Sequence, residues 1–223
     1  MRVDHVILGA RTIEPLRELL WERYGFGVTD GSPNPDGTAS WVVPFDTPEV
    51  QYLELLVTDD ERKLTESGFG QLFLDRTADG PAFLNWAVLT EDIESTALLV
   101  EQVTGVDPDL IHGESVRVDG GRVPWAEAAF ELSWCSRVLP FFLAYGGTET
   151  RAARVAGDLK AAGHRVCPVS FKQVVTGPAQ QQEWVRRWPG LAGLPVSVDP
   201  AAGPGIAAVH IDTAEGETVV RLP

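Results

Sequence analysis

The chain has 223 residues, with 18 Lys and Arg against 32 Asp and Glu, a formal net charge of −14. That length can bury a core without disulfide or metal staples, and an apolar content of 44% fits a globular chain rather than a disordered one. So acidic a balance argues against a nucleic-acid partner, which needs a clustered cationic surface, and against docking on an anionic membrane.

Residues 3–9 are rich in β-branched types and read as a strand. Thr12 is placed to cap a helix with Pro15 in its first turn. Leu16, Leu19, Leu20 and Tyr24 lie on one face of that helix, and Gly25 or Gly27 ends it. A turn region over 31–37 leads to strands at 40–43 and 51–57; with a short strand at Val28–Thr29 the unit is β-α-β-β-β. An amphipathic stretch over 63–75 is expected to be helical. The order then recurs: a strand over 82–89, a helix capped by Asp92 with Ile93, Ala97 and Val100 on one face, and strands over 114–118, 125–132 and 140–145. Superposing Ile13 on Ile93 is an offset of 93 − 13 = 80 and sets Asn85 opposite His5. Superposing Tyr52 on Phe142 is an offset of 142 − 52 = 90 and sets Ala144 opposite Glu54. A third, weaker copy starts at 167, with a strand over 169–175, a short helix over 180–188 bearing Trp184 and Trp188, and strands over 196–198, 206–211 and 218–222. The implied organisation is a first module over 1–58, a connecting segment over 59–81, a second module over 82–146, and a linker with a divergent third module over 147–223.

Glu54 stands in the apolar run Tyr52-Leu53-Glu54-Leu55-Leu56. Alternation puts it on one face with Tyr52 and Leu56, so the carboxylate lines a pocket rather than open solvent, and burial there raises its pKa. His5 is its candidate partner. Of the seven tryptophans, Trp41, Trp86, Trp125 and Trp134 fall in expected strands, where aromatic rings can wall a cavity. His112 reads as a loop residue, His164 as a surface one, and His210 reaches a site only if the third module folds back over the first. Cys135 and Cys167 match no metal or redox spacing and read as reduced thiols. No apolar run approaches the ~20 residues of a membrane span, and the first residues lack a signal-peptide core, so the chain is expected to be cytoplasmic.

The repeated unit, with Val3-Asp4-His5-Val6 in its first strand, Asn34-Pro35-Asp36-Gly37-Thr38-Ala39-Ser40-Trp41 before its third, and Tyr52-Leu53-Glu54-Leu55-Leu56 in its last, resembles the vicinal oxygen chelate superfamily. Within that superfamily it is most similar to the glyoxalase-like domain proteins. The second copy carries the resemblance through residues 86–92 and 139–143. The resemblance implies an α+β fold in which βαβββ modules curl into a half-open barrel around a pocket, with a divalent metal held by up to four ligands from the first and last strands of each module. Carried over, those ligands are His5 and Glu54, while Asn85 and Ala144 stand at the second-module positions. Two protein ligands fall short of the usual three or four. The relatives' His-Pro and Gly-Thr-x-Asn loop positions hold Asn34-Pro35 and Gly37-Thr38-Ala39-Ser40. The expectation is therefore a small-molecule binding protein with His5 and Glu54 at its polar centre. Asn34, Ser40, Trp41, Asn85, Trp125, Trp134 and Phe142 would contact the ligand. The alternative is a metal-dependent lyase or isomerase acting on vicinal oxygens. Because the superfamily often pairs modules between subunits, an odd module count also implies a homodimer.

Overall fold

Two β-α-β-β-β units build one eight-stranded sheet in the computed structural model, which describes residues 1–116, 122–146, 151–178 and 186–223. The first unit comprises β1 (Arg2–Ala10), α1 (Glu14–Leu19) continued by a π-helical turn (Leu20–Tyr24), β2 (Ser32–Pro33), β3 (Thr38–Pro44) and β4 (Tyr52–Thr58). Two short helices, α2 (Glu61–Thr65) and α3 (Gly68–Arg76), connect it to the second, their N-termini capped by the side chains of Asp60 and Ser67. The second unit comprises β5 (Ala82–Leu89), α4 (Ile93–Thr104), β6 (Ile111–Val116), β7 (Arg122–Ala128), an inserted α5 (Phe130–Ser136) and β8 (Phe141–Tyr145). In each unit the first strand runs parallel to the last, and β1 and β5 join antiparallel at the centre, giving the order β2-β3-β4-β1-β5-β8-β7-β6. The sheet curls into a half-barrel.

Each face of that sheet has its own core. Val6, Leu8, Leu53, Leu55, Trp86, Val88 and Phe142 point outward beneath Leu16 and Leu20 of the first helical segment and Ile93, Ala97 and Val100 of α4. Ile7, Leu56, Ala87, Phe141 and Leu143 point inward, where Phe73 of α3 and Trp134 of α5 fill one end of the concavity. The third unit follows α6 (Val155–Ala162) and comprises β9 (Pro168–Thr176), β10 (Val196–Val198), β11 (Ile206–Thr213) and β12 (Gly216–Val220). Its order is β10-β9-β11-β12, with β9 parallel to β10 and antiparallel to β11, so its first strand pairs with the next rather than with the last. Phe171, Val174, Val209 and Ile211 pack into the outer core of the large sheet. The third unit thus buries its apolar face within the same chain.

Several local expectations change. Thr12 does not cap α1: the N-cap is Ile13, without a side-chain bond, while Gly25 ends the π-helical turn in the left-handed conformation (φ 72°). The short strand is Ser32–Pro33, paired with Ser40 and Ala39, and Val28–Thr29 is held instead by Thr29 N–H donating to Val42 O. Residues 130–136 form a helix after Ala129 turns left-handed (φ 63°), so Trp134 is helical; the run Phe130-Glu131-Leu132-Ser133 contains no β-branched residue to favour a strand. His112 lies in β6, exposed, and not in a loop. Helix α6 occupies part of the expected linker. Trp184, Val118, the linker residues 147–149 and most of the helix expected over 180–188 fall outside the described residues. No helix among the described residues is long and apolar enough to cross a membrane.

Candidate functional site

The site begins with a bulge. Val3 pairs with Val88 and His5 with Ala87, so β1 carries one extra residue, Asp4, against β5. Strict alternation would send Asp4 and His5 to opposite faces. The bulge instead lets both reach the concave side while Val3 and Val6 remain in the outer core. Asp4 is fully buried and accepts from His5 Nδ1 at 2.9 Å. The other ring nitrogen, Nε2, faces Glu54 Oε2 at 3.4 Å. Tyr52 stacks on the imidazole (4.7 Å, 17°), and Phe141 meets it edge-on at 5.7 Å.

Arg151, which lies beyond both sheet-forming units, closes the arrangement. Its two terminal nitrogens donate to the two oxygens of Asp4, each at 3.0 Å, and its guanidinium lies 3.8 Å from the centre of the Tyr145 ring. This is the planar, two-point geometry in which Arg binds carboxylates best. Burial alone would raise the Asp4 carboxyl, but the His5 hydrogen bond and the Arg151 and His5 charges outweigh it and hold the group below its ordinary range. Arg151 answers with a pKa above its own ordinary value despite burial.

A cavity of about 230 Å³ opens in front of this network. Tyr52, Glu54, Tyr145 and Arg151 form its polar wall, Val42, Val50 and Val123 its apolar wall, and Arg154 and Asp158 its rim. Glu54 keeps 23% of its side chain exposed there, whereas His5 stands behind it with 4%. Burial pushes the Glu54 carboxyl up; the facing His5 offsets part of that rise, and the charges of Asp4 and Asp36 add to it. A second acid, Glu127, comes from β7 on the same face as Val123. Burial raises it to about 7, against the pull of His5 and with the push of Glu54.

The sequence-derived site residues divide by face. His5 and Glu54 come together. Ser40 points inward beside Val42 and next to Leu56 across the ladder, and Trp125 shares the inward face of β7 with Glu127 and lies over Gly113, where any side chain would meet the ring. Trp41 and Phe142 are corrections: alternation turns both to the outer core, where Phe142 stacks on Trp188 at 5.9 Å, and the inward aromatic neighbour is Phe141. Asn34 is a turn residue, its amide donating to Thr38 Oγ1. Trp134 packs between Phe69 and Phe130 in the inner core. His210 pairs with Glu217 on the third unit, whose sheet covers the outer face and so cannot bring it to His5. His164 is wedged between Gly27 N and Pro44 O rather than free at the surface. Asp4, Tyr52, Tyr145, Glu127 and Arg151 were missed as site residues. Asp4 was legible as a charge inside an apolar strand; Arg151 had no local signal.

The internal repeat can now be aligned by backbone. On β5 the ladder skips Leu84, a bulge matching the one at Asp4 with the offset 84 − 4 = 80, so Asn85 does correspond to His5. Ile7 pairs with Glu54 and Ala87 with Phe141; since 7 + 80 = 87, the counterpart of Glu54 is Phe141, not Ala144, which points to the outer core. The donor set follows. Asn85 Oδ1 already accepts from Trp86 N–H at 2.9 Å and lies 2.6 Å from Ser133 Oγ, and Phe141 offers no donor. His5 Nδ1 is spent on Asp4. Among the described residues no group of three His, Cys, Asp or Glu side chains is arranged to hold a metal ion. The residues present do not fit the four-ligand centre that the superfamily resemblance implied.

The solved structures that the fold matches include a hypothetical protein from Staphylococcus aureus, with a TM-score of 0.57 at 15% identity, over 94% of this chain and 81% of that one. Methylmalonyl-CoA epimerases also match: a Streptomyces coelicolor variant in complex with 2-nitronate-propionyl-CoA (TM-score 0.44, 17% identity, 65% of this chain and 93% of that one) and the Mycobacterium tuberculosis enzyme (0.40, 15%, 65% and 86%). At these identities the likeness concerns the fold alone. No curated protein matches the sequence. The sequence matches the glyoxalase-like domain family over residues 3–192, the span that carries both β-α-β-β-β units, the bulged first strand and Arg151. The chain therefore belongs to the glyoxalase-like domain family.

Proposed function

We propose that this protein binds a small molecule in the cavity fronted by Glu54, and that Glu54 and His5 exchange a proton as the polar centre of that site. The observation that carries the reading is the pairing of a pKa-raised carboxyl with His5 Nε2 at 3.4 Å on the wall of a cavity of about 230 Å³. A carboxyl whose pKa is raised by burial keeps its proton to higher pH than an ordinary surface glutamate, so it can offer a ligand a hydroxyl donor as well as an oxygen acceptor. The valines supply apolar contact, and the Tyr52 and Tyr145 hydroxyls and Arg151 orient polar atoms. A volume near 230 Å³ suits a compact molecule.

The test is a ligand screen by thermal shift, followed by calorimetry on Glu54→Gln and His5→Gln. Both substitutions should weaken a hit at least about tenfold, the scale of one lost hydrogen bond to a charged or buried group. A hit that binds both variants as tightly as the parent places the site elsewhere.

The Asp4 contact to His5 Nδ1 favours a second reading, proton transfer on a carbon acid with Glu54 at the substrate and His5 behind it. This chemistry uses the chain's own residues. It predicts solvent deuterium uptake at a carbon next to a carbonyl, followed by proton NMR in heavy water over a panel of small 2-oxo and 2-hydroxy acids. Uptake should fall to background in Glu54→Gln; equal rates in parent and variant would count against it. The family's metal-dependent lyase or isomerase chemistry would need ligands beyond His5 and Glu54. A metal titration monitored by His5 NMR signals checks that route directly.

A further inference from the structure

We propose that Arg151 is a positioning residue for the site: by gripping both oxygens of Asp4 it fixes the carboxylate against His5 Nδ1, so that Nδ1 carries the imidazole proton and Nε2 presents its lone pair to Glu54. This inference rests on the reading of Glu54 and His5 as a proton-exchanging pair.

The geometry at Asp4 is over-determined. A lone carboxylate beside a histidine can rotate, offering one oxygen, the other, or neither. Here one oxygen meets Arg151 at 3.0 Å, and the second is shared between Arg151 at 3.0 Å and His5 Nδ1 at 2.9 Å. The carboxylate plane is thereby set by the guanidinium plane. The guanidinium is in turn seated on the Tyr145 ring, 3.8 Å from its centre, and keeps only 11% of its side chain exposed. Carboxylate and imidazole belong to adjacent residues brought to one face by the β1 bulge, and the arginine arrives from 147 residues away. An anionic carboxylate accepts only, so the nitrogen facing it must be the protonated one. Nε2 is then left as the acceptor, 3.4 Å from Glu54 Oε2. Which ring nitrogen faces Glu54 as an acceptor is therefore decided behind the imidazole.

A salt bridge that served stability alone would not care which nitrogen holds the proton, and that difference is the test. In full-length protein labelled with ¹⁵N, the two ring nitrogens of His5 are read from long-range proton–nitrogen correlations on the neutral ring, at the alkaline end of a pH series. His5→Gln identifies the signals among the four histidines. The parent should show the Nδ1–H form almost alone. Asp4→Asn and Arg151→Gln should both lower the ratio of Nδ1–H to Nε2–H, by at least about threefold. Arg151→Lys, which restores charge but not the two-point grip, should lie between parent and Asp4→Asn.

A parental ratio in Arg151→Gln with a fall in Asp4→Asn would overturn the proposal, because Asp4 would then hold its place unaided. A parental ratio in both variants overturns it as well. Should Arg151→Gln fail to fold, Arg151→Lys decides, and a parental ratio there refutes the claim. The functional reading fails separately, through ligand binding that ignores Glu54 and His5, so the two failures are distinguishable.

Discussion

A single extra residue in β1 does more for the site than any motif. Without the bulge at Asp4, the carboxylate and the imidazole would face opposite sides of the sheet, and one of them would sit in the outer core uncompensated. The same parity argument explains why Phe141 rather than Phe142 reaches His5. Glu127 shows the cost of placing an acid on this face. Its folded pKa is about 7 against an ordinary value of 4.5, so between those two values the folded chain holds a proton that the unfolded chain has released. The contribution of Glu127 to stability accordingly falls as pH rises from 4.5 through 7 and is level above that. Glu127→Gln removes the cost. It should be more stable than the parent above pH 7 by about 1–2 kcal/mol after allowance for solvent screening. The advantage should vanish near pH 4, as read from urea midpoints. Equal stability at pH 8 would mean that the carboxylate is solvated.

At the scale of elements, α6 and the loop after it matter more than their place between units suggests. The N-terminal end of α6 brings Arg154 and Asp158 to the cavity rim. Beyond its C-terminal end, His164 Nδ1 accepts from Gly27 N–H and its Nε2–H donates to Pro44 O, both at 2.9 Å. Arg165 N–H and Val166 N–H donate to Gly25 O in the same region. This arrangement requires a neutral ring: burial lowers the His164 pKa from 6.5, and the Pro44 carbonyl offsets only part of that. Below pH 6.5 the unfolded chain takes up a proton that the folded chain resists, so stability declines as pH falls through that region. A melting series from pH 7.5 to 5 should show a steeper acid-side loss for the parent than for His164→Gln. Parallel curves would show that the ring titrates freely in the folded state.

At the scale of the molecule, the third unit closes the outer face. Trp188, 3% exposed, stacks on Phe142 and donates its indole N–H to Pro140 O at 3.2 Å, and Phe171 packs on Phe45 at 4.7 Å. These contacts tie both sheet-forming units to the third, so the chain should unfold as one body. Trp188→Ala should cost about 3–5 kcal/mol, the usual range for a buried Trp or Phe. In urea, the fluorescence and far-UV transitions of the parent should coincide. A parent whose third unit melts first would show that the interface is weaker than its burial implies.

The repeated unit, its element order, the helix opened by Asp92 and the inward turn of Glu54 were legible because they rest on local periodicity and short-range hydrogen bonds. Those are properties of neighbouring residues, and a sequence displays them directly. Which residues meet across the fold was not legible, because a bulge shifts parity by one and a long-range ion pair has no spacing to read. Asn85 was aligned correctly to His5 since the two bulges repeat at the same offset, whereas Ala144 was misaligned because the final strands have no such landmark. By itself, the sequence determined two copies of a β-α-β-β-β unit with a histidine and a carboxylate on their inner strands. Only the tertiary structure decided that Arg151 holds Asp4, that Asp4 holds His5, and that the second unit offers a phenyl ring where a ligand would stand. The physical reason is that alternation along a strand can be counted, while the pairing of charges 147 residues apart exists only after the chain has closed on itself.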